Sequence, residues 1–276
     1  MTLWVLIRGG GDLASGVALR LYRAGLQVLV TELPEPLMVR RKVSFAEAVY
    51  EGETFVEEAP ARRAEDLDHA MTLARQRVVP VLVDPEAAAL KSLRERLGDE
   101  VPIILVDARM TKQRSELSLN SASLVIGLGP GFVAGENCHA VVETMRSHWL
   151  GRVIWQGAPE ADTGIPDPVN DKGAERVLRA PAAGKVEALV EIGERLRKGQ
   201  QVAAVSGLPV LAPFDGVLRG LVHPGLQVPQ GMKIGDVDPR NDPRYCFLVS
   251  DKSLAIGGGV LEAILTRPEI RPHLWD

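Results

Sequence analysis

An apolar run from Leu3 to Ile7 passes through Arg8 into Gly9-Gly10-Gly11-Asp12, and a helical stripe and a second apolar run follow at once. No other feature restricts the fold as much. A continuous apolar run suits a strand buried on both faces. Leu13, Val17 and Leu21 then recur at every fourth position with Arg20 and Arg23 off the stripe, which is an amphipathic helix, and Gly25 supplies a left-handed stop. Gln27 to Glu32 reads as a second buried strand. Strand, helix and strand in so short a stretch imply a parallel right-handed crossover.

The alternation continues with predicted helices at 64–77 and 86–97 and predicted strands at 78–83, 101–106 and 123–127. The expectation is an α/β Rossmann-like parallel sheet over residues 1–156. Parallel strands place their carboxyl ends on one rim, which would bring Gly9 to Asp12, Glu32, Asp84, Asp107 and Gly127 to Gly131 to one side of the sheet. Ser44 to Glu47 fits a capping box for a short helix, whereas 51–60 has no clear pattern.

Residues 156–174 hold three prolines and three glycines without periodicity, so 157–175 is expected to be a linker. Beyond it, a shift of 32 positions aligns 178–207 with 210–239 at eight identities in thirty, where composition alone gives roughly two. Each half reads as short strands between glycine turns, which predicts a duplicated all-β domain over 176–240, followed by an extension over 241–276. The duplication resembles the barrel-sandwich hybrid of biotinyl and lipoyl carrier domains. The joint between the halves is Ser206-Gly207-Leu208-Pro209, so no carrier lysine stands at that tip.

Composition narrows the function. With 276 residues the chain is long enough for about two domains. Its formal net charge of −4 provides no cationic excess for nucleic acid or anionic lipid. No apolar stretch reaches the ~18 residues a membrane span needs, and the first strand is interrupted too early for an export signal. A cytoplasmic protein is expected. Cys138 and Cys246 have no C-x-x-C spacing, and the five histidines show no H-x-x-x-H or H-E-x-x-H pattern, so a protein-only metal site is not expected.

The glycine turn carries the sharpest chemistry. Gly9 permits a tight turn, Gly11 lets backbone approach a phosphate, and Ala14 permits close helix-strand packing, so Gly9, Gly10, Gly11, Asp12 and Ser15 are the turn's expected cofactor-binding residues. Glu32, at the end of the second strand, is placed to accept ribose hydroxyls, which makes a nucleotide or dinucleotide the natural ligand. Asp12 argues against this, since its carboxylate would repel a phosphate unless it points away or binds a metal, and the alternative is a tight turn that holds no ligand. Arg40 and Arg41 either hold an anion over the rim or form a solvated face. Asp84 and Asp107 either bind ribose or Mg²⁺ or cap backbone amides. Gly129 and Gly131 sit in a glycine loop that Asn137 would close by capping a helix through Val141, Val142 and Met145. Cys138 and His139 would then stand at a helix start, where dipole and imidazole favour a thiolate able to carry sulfur or selenium. The alternative is a buried small hydrophobe beside a hydrogen-bonded histidine. The Gly257-Gly258-Gly259 triplet serves either close helix packing or a ligand.

Several strings occur in a fixed order: Ile7-Arg-Gly-Gly-Gly-Asp-Leu-Ala-Ser-Gly16, Thr31-Glu-Leu-Pro-Glu-Pro36, Arg40-Arg-Lys-Val-Ser-Phe45, Gly129-Pro-Gly-Phe132, Asn137-Cys-His-Ala-Val-Val-Glu-Thr144, Arg176-Val-Leu-Arg-Ala-Pro181, Asp236-Val-Asp-Pro-Arg240 and Ser250-Asp-Lys252. Together they resemble the YqeB family, which is associated with selenium-dependent molybdenum hydroxylases, and the first domain is similar in plan to XdhC-type maturation proteins. The resemblance implies an accessory of a xanthine-dehydrogenase-type molybdenum hydroxylase. Such a protein would bind a nucleotide-bearing molybdopterin cofactor or precursor and assist sulfur or selenium loading or cofactor insertion. It implies no residue-level catalytic assignment and leaves assembly with like chains open. Two other readings stand beside it: an NAD(P)-dependent oxidoreductase, which the glycine turn and Glu32 also suit, and a non-catalytic protein-interaction module.

Overall fold

The computed structural model describes residues 3–164, 169–170 and 172–274, so 165–168 and 171 of the expected linker lie outside the described residues. The chain divides into two compact units, Met1–Pro36 with Phe45–Asp162 and Val249–Asp276, and Leu37–Ser44 with Thr163–Leu248. Residues 37–44 therefore group with the second unit, and the stretch expected as a terminal extension is shared between the two.

The first unit begins with β1 (Trp4–Arg8), α1 (Asp12–Arg23) and β2 (Gln27–Glu32). There follow α2 (Ala48–Glu51), β3 (Glu53–Val56), β4 (Ala59–Ala64), α3 (Leu67–Arg75), β5 (Val79–Val83) and α4 (Ala89–Leu97). Next come β6 (Ile103–Asp107), β7 (Leu124–Leu128), β8 (Ala140–Val142), β9 (Val153–Ile154) and, after the second unit's segment, α5 (Asp251–Leu265). The strands form one nine-stranded sheet in the order β3-β4-β5-β2-β1-β6-β7-β8-β9. β1 and β6, side by side at its centre, are buried along their whole length. Burying each Leu, Val or Ile there contributes roughly 1.5–3 kcal/mol.

This sheet corrects the expected Rossmann-like parallel sheet. Strands β4 through β8 of the order are parallel, but β3 and β9 pair antiparallel at the two margins. The β3–β4 hairpin falls on the segment the sequence leaves unread. Its turn places Glu57, not glycine, at φ 53°, so the usual hairpin signal is missing. The helix expected after Asn137 is instead strand β8. The Asn137 side chain accepts from Val133 N at 2.8 Å and donates to Gly131 O at 3.1 Å, tying itself back into the loop instead of capping forward.

The second unit contains β10 (Val177–Arg179), β11 (Gly184–Ala188), β12 (Arg195–Leu196), β13 (Gln201–Val205), β14 (Leu208–Leu211), β15 (Gly216–Leu221), β16 (Gln227–Val228) and β17 (Lys233–Asp238). They form two four-stranded sheets, β10-β17-β15-β12 and β14-β13-β11-β16, antiparallel throughout. The shift of 32 positions carries β10, β11, β12 and β13 onto β14, β15, β16 and β17, and so carries one sheet onto the other. Each sheet takes strands from both halves, so neither half completes a sheet alone. Two separate antiparallel sheets are what the unit contains, and this corrects the expected biotinyl/lipoyl-like barrel-sandwich hybrid. Among the described residues no helix is long and apolar enough to cross a membrane.

Candidate functional site

The order of the first unit's sheet reverses at its centre. From β1 the chain builds outward to β2 on one side and later to β6 on the other. At such a switch point the loops leaving the two strands diverge, which in open α/β sheets forms the ligand crevice. Its lips are Gly9 to Gly11 and Ala108 to Met110. Gly9 has φ +94°, and a Cβ there would lie 3.3 Å from Ala108 O, so only glycine fits the close approach of the lips.

Four charged groups meet beside these lips. Arg8 and Asp107 end β1 and β6 as paired residues and are 4% and 1% exposed. Arg8 Nη1 donates to Glu116 Oε1 at 2.6 Å and Nη2 to Pro85 O at 3.2 Å, with Asp107 Oδ2 3.9 Å from Nη1. Arg109 folds back on Asp107, with Nε 3.0 Å from Oδ1 and Nη2 2.6 Å from Oδ2, and its Nη2 also reaches Glu116 at 3.0 and 3.1 Å. The hydrogen bond to Asp107 raises the Arg109 guanidinium above its ordinary value. Burial opposes ionisation of Glu116, but hydrogen bonds from Arg109 and Arg8 outweigh it and hold that carboxyl at about 2.

The glycine turn is engaged differently from the expectation. Glu32 Oε2 accepts from Gly10 N at 2.7 Å and Oε1 from Leu33 N at 2.7 Å. The carboxylate expected to meet a ribose thus serves two backbone amides, and burial raises its pKa. Gly9 N is committed to Thr31 O. Ser15 Oγ donates to Gly10 O and accepts from Phe45 N, which makes Ser15 a buried brace of the turn. Asp12, at the first position of α1, accepts from Ser253 Oγ at 2.9 Å. No side chain caps the first turn of α1 at Gly11.

The other expected site residues are engaged with the protein's own backbone. Arg40 is buried and donates to Tyr245 O and Leu248 O, while Arg41 Nε donates to Leu221 O, so these bonds pin backbone within the second unit. Asp84 caps the approach to α4 through Ala88 N and Ala89 N. Gly129 N donates to Val142 O, and Gly131 O accepts from Ser115 N and Asn137 Nδ2, which ties that loop to β8 and to the segment before Glu116 as well as to itself.

The thiolate reading of Cys138 is corrected. With β8 in place of a helix there is no dipole at the thiol. Burial pushes it up to about 11, against hydrogen bonds from the amides of Gly127 and Val133 that act the other way. His139 Nδ1 accepts from Val125 N at 2.9 Å. Burial, then Arg267, lowers its pKa, which favours the neutral ring. His139 opens on a cleft of about 370 Å³ with Arg94, Asn120 and Ser123, at the amino ends of β6 and β7 and so at the opposite edge from the crevice.

Sequence reasoning passed over Arg8, Arg109 and Glu116. A trace of Arg8 was present, as a charge closing an otherwise apolar strand. Arg109 had a local signal as well, because an arginine two residues after an aspartate folds back on it again at Asp238/Arg240 and Asp242/Arg244. Nothing local marks Glu116: Arg8 is distant in sequence, and Arg109, though near, is joined to it by a stretch with no helix or strand periodicity.

No protein-family model matches the chain. Among solved structures it is similar to an aspartoacylase family protein from Mesorhizobium loti, at 11% identity, 86% of this chain, 84% of that one and a TM-score of 0.27. It is also similar to a succinylglutamate desuccinylase from Silicibacter, at 12%, 85%, 84% and 0.25. A succinylglutamate desuccinylase/aspartoacylase from Rhodobacter sphaeroides gives 23%, 31%, 29% and 0.22. Scores of that size carry neither fold nor activity across. In sequence the chain is 45% identical over 261 residues to the Escherichia coli K12 protein named uncharacterized protein YqeB, covering 95% of this chain and 47% of that protein. The chain therefore spans about half the length of the curated relative it matches. Identity at that level across nearly all of the present sequence supports its assignment to the YqeB family.

Proposed function

We propose that the chain is an accessory of selenium-dependent molybdenum hydroxylases and that its first unit holds an anionic small molecule at the switch point. One observation carries the binding half of this reading: two arginines, Arg8 and Arg109, converge where the sheet order reverses. Guanidinium forks suit the oxygens of phosphate and carboxylate. The residues present fit the phosphate portion of a nucleotide-bearing cofactor precursor, which enters here as cargo. The hydroxylase link rests on the family resemblance. With Cys138 buried and protonated, no sulfur or selenium transfer is routed through it, and the role is one of holding a molecule. The NAD(P) alternative loses its basis because Glu32 already serves Gly10 and Leu33.

Two measurements test the reading. Chain purified anaerobically should release a phosphate-bearing pterin or nucleotide identifiable by mass spectrometry, and Arg109→Gln should release much less. Deleting the gene from the source cell should lower molybdenum hydroxylase activity while the hydroxylase polypeptide stays at its normal level. An empty wild-type preparation that also fails to bind such molecules when they are added refutes the binding half, and unchanged hydroxylase activity refutes the accessory half.

A further inference from the structure

The two carboxylates at the switch point differ in kind. Asp107 is buried and ends a central strand. The Glu116 side chain is 61% exposed and comes from residues 108–118, which contain no helix or strand. Its carboxylate nevertheless sits at 2.6 Å from Arg8 Nη1 and at 3.0 and 3.1 Å from Arg109 Nη2. Two guanidinium groups gripping one exposed carboxylate reproduce the way arginines hold a carboxylate or phosphate from outside the chain. A second observation points the same way. Arg8 Nε is buried and has no hydrogen-bond partner, so this guanidinium lacks one acceptor that buried donors normally find.

We propose that Glu116 is an internal stand-in for an external oxyanion: a carboxylate- or phosphate-bearing ligand takes its place on Arg8 and Arg109, and the Glu116 side chain swings aside as it binds. This rests on the reading that the switch point binds an anionic molecule, and it adds the recognised group and the residue that competes with it. The exchange keeps the charge balance, because one anion leaves the two arginines as another arrives. Asp107 remains on Arg109 Nε throughout and keeps that side chain aimed. Glu116 itself is exposed while Arg8 is buried, and the incoming oxyanion takes over the buried guanidinium, so the exchange leaves no buried charge unpaired. The stand-in does reduce the fraction of chains ready to bind, and apparent affinity falls by that fraction.

Isothermal titration of the full chain with malonate and with inorganic pyrophosphate separates the two anion chemistries. Glu116→Gln removes the competing charge and should tighten at least one of them about tenfold, in the usual range of coupling between competing states. Glu95→Gln, which removes an exposed carboxylate of α4, should leave both affinities unchanged. Adding Arg109→Gln to Glu116→Gln should abolish the gain. If that double variant does not fold, Arg109→Lys replaces it, keeping the charge while losing the planar fork. Tightening by one probe only supports the proposal and identifies the group recognised. Equal binding by wild type and Glu116→Gln overturns the stand-in while the binding reading survives, as does an equal gain from Glu95→Gln. Absence of binding by every variant overturns both.

Discussion

Helix α5 carries Gly257, Gly258 and Gly259 in succession, and the three face different surroundings. A Cβ on Gly257 would lie 2.7 Å from the carbonyl oxygen of Gly16 and 2.8 Å from Arg20 Cγ, both on α1, whereas a Cβ on Gly258 would meet nothing within 4 Å. On Gly259 it would lie 2.8 Å from Val142 Cγ1 and closer still to the carbonyl oxygen of Gly151. Alanine gains about 0.5–1 kcal/mol over glycine inside a helix. At Gly258 nothing opposes that gain, so Gly258→Ala should stabilise the chain by about that amount. At Gly257 the new methyl presses on backbone, and overpacking costs about 1–3 kcal/mol. The larger effect wins, and Gly257→Ala should destabilise by roughly 1–2 kcal/mol net. Gly259→Ala should cost at least as much, because the carbonyl of Gly151 cannot rotate away as a side chain would. Urea unfolding followed by far-ultraviolet circular dichroism reads these effects as midpoint shifts at constant slope. Upward shifts for both Gly257→Ala and Gly258→Ala would refute the argument that the triplet is there to let α5 approach α1.

Other expectations follow from the same geometry. The Cys138 thiol, buried and raised to about 11, should resist iodoacetamide at pH 8 in the native chain and react after unfolding; rapid native labelling would restore the thiolate reading. The Glu116 carboxyl lies at about 2 in the folded chain and at roughly 4.3 when unfolded. Its contribution is therefore complete above the unfolded value and lost as pH falls through the folded one. Glu116→Gln should flatten that acid limb by a fraction of about 1 kcal/mol, since solvent screens an exposed group, and superimposable acid limbs would contradict it. In the second unit, Asp236 takes Arg176 Nη1 on both oxygens at 2.7 and 2.9 Å, with both residues buried. Asp236→Ala leaves the guanidinium without that carboxylate and should cost about 3–5 kcal/mol; a change below about 1 kcal/mol in urea unfolding would show the pair to be dispensable.

What the sequence determined alone are the features whose cause is local or periodic. The run Leu3 to Ile7, the stripe Leu13, Val17 and Leu21, and the stop at Gly25 specify a strand, a helix and their crossover, because burial period and backbone freedom act over neighbouring residues. The repeat of 178–207 in 210–239 was equally legible, since it compares the chain only with itself. What only the tertiary structure decided are the partners of polar groups. Glu32 looks like a ribose ligand until Gly10 N is seen to occupy it, and Asn137 looks like a helix cap until it bonds back to Val133. The margins of the sheet, the interleaving of the two repeats, and the meeting of Arg8 with Glu116 likewise depend on residues far apart in the chain. Periodicity reports which face of an element is buried; which donor finds which acceptor depends on how those faces come together.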